Sequence, residues 1–211
     1  MWKVIVIGFL SLIATSTCLN FDSLINGGND ATPHQFPFAV AVRTRNINYS
    51  PRLCGGALIS RQAILTTGFC VYGQTDPEVF LGAHNLEDEN EMFQVRMLIN
   101  PQDIYVHESY KSGELMNDIA VVRLPAAIAF FNNAINMIAI PSDPAEVFVN
   151  ISSTIMGFGS NCFHISCPEL NVLRTIDVFV RPNVECDHVT TTDGTQLCVT
   201  NALGGPCRGN D

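Results

Sequence analysis

The stretch AILTTGFC, Ala63 to Cys70, decides how the chain is read. Ala63, Ile64 and Leu65 form an apolar run as short as a buried strand, and it closes on a threonine pair, a glycine, a phenylalanine and a cysteine. Phe69 is the residue that needs explaining, because it puts an aromatic hydrocarbon at the end of a strand, beside a cysteine.

Outward from this stretch the apolar runs stay short and several alternate: FPFAVAVR, EVFLGAH, MFQVRML, DIAVVRL, STIMGFG, RTIDVFVR and TQLCVT. Phe93, Val95, Met97 and Ile99 share one face of an extended chain, the period of two that marks a half-buried strand. Turn-forming clusters TDPE, INPQD, PSDP and TTDGT separate the runs, and no long helical pattern competes. Many short strands at this spacing predict an all-β barrel or sandwich. The segment Ala126 to Ile135 reads as a connection between two strand-rich halves, with a boundary near Asn132.

Composition narrows the function. The 211 residues are 47% hydrophobic, enough for a real core. Eleven Lys plus Arg against twenty Asp plus Glu give a net charge of −9, which repels nucleic acid and anionic membrane surfaces. At the start, MWKVIVIGFLSLIATSTC places Lys3 before an apolar stretch, Val4 to Ala14, and then small residues, the pattern of a secretory signal over residues 1–18. That stretch of eleven residues is too short to cross a hydrocarbon core that needs about 20. Export makes the cysteines candidates for disulfides, and Asn48-Tyr49-Ser50 and Asn150-Ile151-Ser152 candidates for glycan at Asn48 and Asn150. If Cys18 leaves with the signal, the seven that remain are an odd number.

In order along the chain, the motifs resemble the chymotrypsin/trypsin-like serine protease family. INGGNDATPHQFPFAVAV is similar to its mature N-terminus, CGGALIS to its first disulfide strand and LTTGFC to its LTAAHC; NDIAVVRL is similar to the strand that carries its catalytic aspartate, and GFG to its GWG. The resemblance covers nearly the whole mature chain. It implies a chymotrypsin-like double β-barrel: a short propeptide-like segment at 19–24, a complete N-terminal barrel over 25–132 and a truncated C-terminal barrel over 133–211, whose uncovered strand edges would need a partner.

In this family a serine attacks, a histidine takes its proton and a buried aspartate orients the histidine. By resemblance Asp118 holds the aspartate position and Phe69 the histidine position, where a benzene ring offers no nitrogen to a proton. PCRGND aligns with CxGDSGGP, so that Asn210 falls on the aspartate before the nucleophile and Asp211 on the nucleophile itself; a one-residue slip still supplies no serine, and LGGPC, 203–207, lacks one too. The matching activation junction is Leu24-Ile25, a poor site for a trypsin-like activator, and Asn210 has no charge for a freed isoleucine ammonium. The resemblance also implies disulfides Cys54–Cys70 and Cys186–Cys198. Cys162 and Cys167 could close a local loop, leaving Cys207 for an intermolecular bond, to a second copy or to another protein. NLEDENE, 85–91, falls where some relatives bind calcium; with Ala83 at a usual ligand position it reads as a solvated acidic loop, and the five histidines show no metal spacing. No cofactor or metal is expected.

The resemblance therefore implies a secreted, inactive serine protease homologue of arthropod type, of the kind found in haemolymph, saliva and venom. It would bind an extracellular protein, a protease or a protease-cascade component, as decoy, cofactor or inhibitor in haemostasis, complement or prophenoloxidase activation. The alternatives are an active endopeptidase whose sequence is truncated or misread at its 3′ end, and a non-functional duplicate. On the secretory reading the mature protein begins near Thr17 or Leu19 and carries glycan at Asn48, Asn150 or both. Mass spectrometry before and after glycosidase treatment checks this, and an intact Met1 in a cytosolic fraction overturns it.

Overall fold

The computed structural model describes residues 28–46, 49–113, 116–143, 148–159, 170–186 and 196–200. Within them the chain is all-β. It runs through β1 (Asn29–Asp30), β2 (Ala39–Asn46), β3 (Tyr49–Ser60), β4 (Ala63–Thr66), a one-turn helix α1 (Gly68–Val71), β5 (Thr75–Leu81), β6 (Val95–Leu98), β7 (Ile104–Val106) and β8 (Ala120–Arg123), then β9 (Ser152–Gly159), β10 (Leu170–Arg181) and β11 (Cys198–Thr200).

The first sheet has seven antiparallel strands in the order β6-β5-β2-β3-β4-β8-β7. Laid flat at about 4.8 Å per strand, its edges β6 and β7 would stand about 29 Å apart. Only Ile99 to Asp103 join them, a link that reaches at most about 21 Å. The sheet must curl. Its concave interior is filled by Val40, Val42, Leu58, Ile64, Val79 and Val122, none more than 2% exposed.

The strands β2 and β5 are buried on both faces. Val40 and Val42 point into the curl while Ala39 and Ala41 face the second sheet; likewise Val79 and Leu81 point in and Phe80 points out. Small alanines let the sheets approach, and the Phe80 ring, with no exposed surface, fills the space between them against Ala31, Leu86, Phe158 and Leu173. The guanidinium groups of Arg43 and Arg96 lie 4.6 Å and 5.0 Å from the centre of the same ring. In the second sheet β10 is central, flanked by β9 on one edge and by β1 and β11 on the other, with Ile155, Ile176, Val178 and Val199 packed on one side.

One local expectation meets a different outcome. Val95, Met97 and Ile99 do turn one face to the first core, but Phe93 does not join them: its φ of +71° carries it out of the strand. The residues 126–135 follow β8 with no strand of their own, and Ile128, Ala134 and Ile135 are buried in the first core. Asn132 Oδ1 accepts the N–H groups of Ala134 and Ile135 at 2.7 and 2.8 Å, and the N–H of Ile138 bonds the Leu58 carbonyl at 2.9 Å.

Because Phe80 is the one large side chain between the sheets that also carries two guanidinium groups, Phe80→Ala should cost about 3–5 kcal/mol. Urea unfolding followed by tryptophan-independent circular dichroism measures it, and a loss under 1 kcal/mol would assign the sheet contact to other residues.

Candidate active site

The site grows out of the pairing of β4 with β8, in the register Ala63↔Arg123 to Thr66↔Ala120. It brings the turn after β4 and the residues before β8 to the same end of the sheet. Thr67 caps α1, its hydroxyl oxygen accepting the N–H of Cys70 at 3.3 Å, and the Cys54–Cys70 disulfide, with Cα atoms 6.2 Å apart, ties the turn to β3. Gly68 is required by close approach: a Cβ there would meet the Tyr110 ring at 3.0 Å and Val106 at 3.1 Å.

Asp118 sits half-buried beside this turn and accepts the N–H of Phe69 on Oδ1 at 2.6 Å. Burial raises its pKa above the ordinary 3.8; the backbone N–H groups of Phe69 and Gly68, which favour the charged form, oppose that rise without cancelling it. Phe69 is partly buried against the first core. The Arg52 guanidinium covers its ring at 4.3 Å from the centre, while Arg52 Nη1 donates to the Phe69 carbonyl at 2.9 Å. Tyr110, only 7% exposed, packs edge-to-face on Tyr72 at 5.6 Å. Its hydroxyl pKa is raised by burial and by the Asp118 charge, and Arg52 pulls it the other way.

Phe69 and Asp118 are thus brought together, as neighbours through the backbone. The ring of Phe69 can neither accept nor return a proton, so the pair supplies a carboxylate and no base of imidazole type. Arg52 and Tyr110 escape sequence reasoning: a guanidinium over a ring 17 residues along the chain leaves no periodic signal. Elsewhere, Cys186 and Cys198 are bonded, and Asn150 is exposed in the turn before β9, at a φ of +65° that asparagine tolerates well. In the acidic loop the Glu91 carboxylate accepts the N–H groups of His84 at 2.7 Å and Asn85 at 3.0 Å and the Gln94 amide at 2.9 Å, so it caps its own loop. Among the described residues no group of three His, Cys, Asp or Glu side chains is placed to hold a metal. No described helix is long and apolar enough to cross a membrane. The expectations for residues 1–24, the Leu24-Ile25 junction, Asn48, Cys162 with Cys167, Cys207, Asn210 and Asp211 lie outside the described residues.

A curled seven-stranded sheet packed on a second all-β sheet, with an aspartate bonded to the turn that follows β4, defines the chymotrypsin-like class. Residues 25–210 match the trypsin family, and the chain belongs to it. Brachyurin of Leptuca pugilator is 37% identical over 190 residues, which are 88% of this chain and 78% of brachyurin. Granzyme-like protein 2 of Rattus norvegicus is 28% identical over 184 residues, 86% of this chain and 70% of that protein. The solved structure of GrC superposes with a TM-score of 0.71 at 21% identity, over 84% of this chain and 76% of its own, a likeness of fold.

The Asp118 carboxylate provides a pH test. Asp118→Asn keeps an acceptor for the Phe69 N–H and sheds a charge that burial disfavours, so at pH 7 it should be as stable as the wild type or more so. Asp118→Ala leaves that N–H unpaired and should cost about 1–3 kcal/mol. Since the native pKa lies above the unfolded one, the stability Asp118 contributes is fully present below pH 3.8 and is lost as pH rises through the raised value. The advantage of Asp118→Asn over wild type should therefore widen from pH 3 to pH 7 in urea melts, and a constant difference would contradict the raised pKa.

Proposed function

We propose that this member of the trypsin family is secreted and non-catalytic, and that it acts by binding an extracellular protein, a protease or another component of a protease cascade. The family is one of serine-type endopeptidases and its relatives include chymotrypsins and mast cell proteases. The observation that carries the reading is the state of the general-base position. Phe69 occupies it with its N–H committed to Asp118 and its ring and carbonyl to Arg52. A serine hydroxyl, wherever it came from, would find no proton acceptor there; losing the base of a triad leaves only weak residual catalysis. Export is supported by the signal-like residues 1–18 and by the Cys54–Cys70 and Cys186–Cys198 disulfides. A disulfide through Cys207, to a second copy or to a partner protein, is part of the same proposal and rests on the seven cysteines left if Cys18 departs with the signal and on the strand edges a truncated second barrel would leave uncovered.

The competing reading, an active endopeptidase, draws on family membership and on the 37% identity to brachyurin. Purified protein should cleave no peptide or ester substrate above a mock preparation, and turnover abolished by a serine-directed inhibitor would overturn the proposal. Phe69→His should stay inactive, because Asp211 holds the nucleophile position by sequence.

A further inference from the structure

Phe93 breaks a local rule that nothing in the core explains. A φ of +71° suits glycine or asparagine and strains a bulky side chain, yet the ring stays 50% exposed and lies edge-to-face with His34, at 6.0 Å between ring centres. The preceding Met92 is 70% exposed. The backbone beneath them is fixed. Gly82, at a φ of +68°, lets the Phe93 carbonyl come within 2.7 Å of where a Cβ would stand, the Gln94 N–H bonds the Glu91 carbonyl, and the Glu91 carboxylate gathers the loop's own donors. Leu86 anchors the loop's other end, buried and bonded through its N–H to the Asn171 carbonyl.

Charge says what this display would meet. Glu87, Asp88 and Glu89 of the same loop are exposed, the Glu89 side chain to 81%. The nearby cation, Arg96, is already committed to Gln94, to the Leu86 carbonyl, to Glu89 at 3.6 Å and to the face of Phe80. The loop thus presents two apolar side chains in a negative field, which at this surface repels anionic lipid and the same loop of a second copy alike.

Resting on the binding reading above, we propose that the 84–94 loop is the docking surface, with Met92 and Phe93 as its anchors, and that its occupant is a cationic, apolar-patterned segment of a partner protein. Lys or Arg side chains of that segment would lie against Glu87 and Asp88, and its apolar side chains against the Phe93 ring, whose backbone is held in place. A preordered anchor loses little entropy on binding, which is what the strained backbone would serve.

The probe is a fluorescently labelled amphipathic Lys/Leu peptide, with a Glu/Leu peptide of the same pattern as control, titrated with the intact secreted protein. The Lys/Leu peptide should bind, more weakly as salt rises, and the Glu/Leu peptide should not. Phe93→Asn should weaken binding at least tenfold without lowering Tm, a combination that a merely structural phenylalanine cannot give. Met92→Ser, at a more exposed position, should weaken it too and carries the test if Phe93→Asn misfolds. Joint Glu87→Gln and Asp88→Asn should weaken it more than Glu185→Gln, which lies beyond the far end of β10, about 30 Å along that strand from the bridge between Asn85 and Val172. Equal binding by wild type and both anchor variants, or equal losses from the loop and distant charge changes, would overturn the docking surface and leave the non-catalytic reading standing. Cleavage of the peptide in the same mixture would strike the non-catalytic reading alone.

Discussion

The pairing of β4 with β8 is the constraint on which the first sheet and its site depend. Its partners lie more than fifty residues apart, so bringing them together costs about 3.5 kcal/mol in chain entropy beyond a constant term. Ile64 and Val122, each fully buried at that pairing, return about 1.5–3 kcal/mol apiece, enough to offset it. The same pair fixes the register, because a slip of one residue would turn Val122 out of the core while Ile64 stays held by β3. Once the register is set, the turn at 67–71 and the residues before Ala120 can only be neighbours.

That geometry gives Asp118 a purpose that does not involve proton transfer. Its carboxylate holds the N–H of Phe69, and a charge-assisted bond of this kind to a partly buried donor contributes about 1.5–3 kcal/mol relative to leaving the donor unmet. The aspartate is therefore useful to the fold with a phenylalanine beside it. Arg52 completes the accommodation. Its aliphatic stem reaches across from β3, its charge meets the ring face and one of its N–H groups meets the carbonyl, so the aromatic side chain is held in an environment that suits it.

How much of this could be read from the chain varies with the kind of interaction. AILTTGFC could be placed as strand and turn because its apolar run and its break are both local, and β6 could be read from the alternation of Val95 and Met97. The roles of Phe69 and Asp118 came from motif order, since no local pattern pairs residues 49 positions apart. Phe93 looked like one more residue in that alternation; only the backbone turn imposed by Gly82 and the capped acidic loop takes it out. The segment at 126–135 reads as a connection, and how it packs is not written in its hydropathy. Asn132 folds it into a turn that places Ala134 and Ile135 in the core, and side-chain-to-backbone bonds of that sort carry no hydropathy signal.

Two phenylalanines break expectations in this chain, and they differ in how the structure receives them. Around Phe69 every consequence is compensated: the N–H has Asp118, the carbonyl and ring have Arg52, and the inner edge has the first core. Around Phe93 the backbone is held in a strained region and half the ring is left in water beside an exposed methionine. A compensated departure is a site that packing has absorbed, while an uncompensated one leaves apolar surface that a partner can cover. On the proposed reading, the strained, water-facing part of this fold is the loop at 84–94 and not the turn beside Asp118, and binding follows it there.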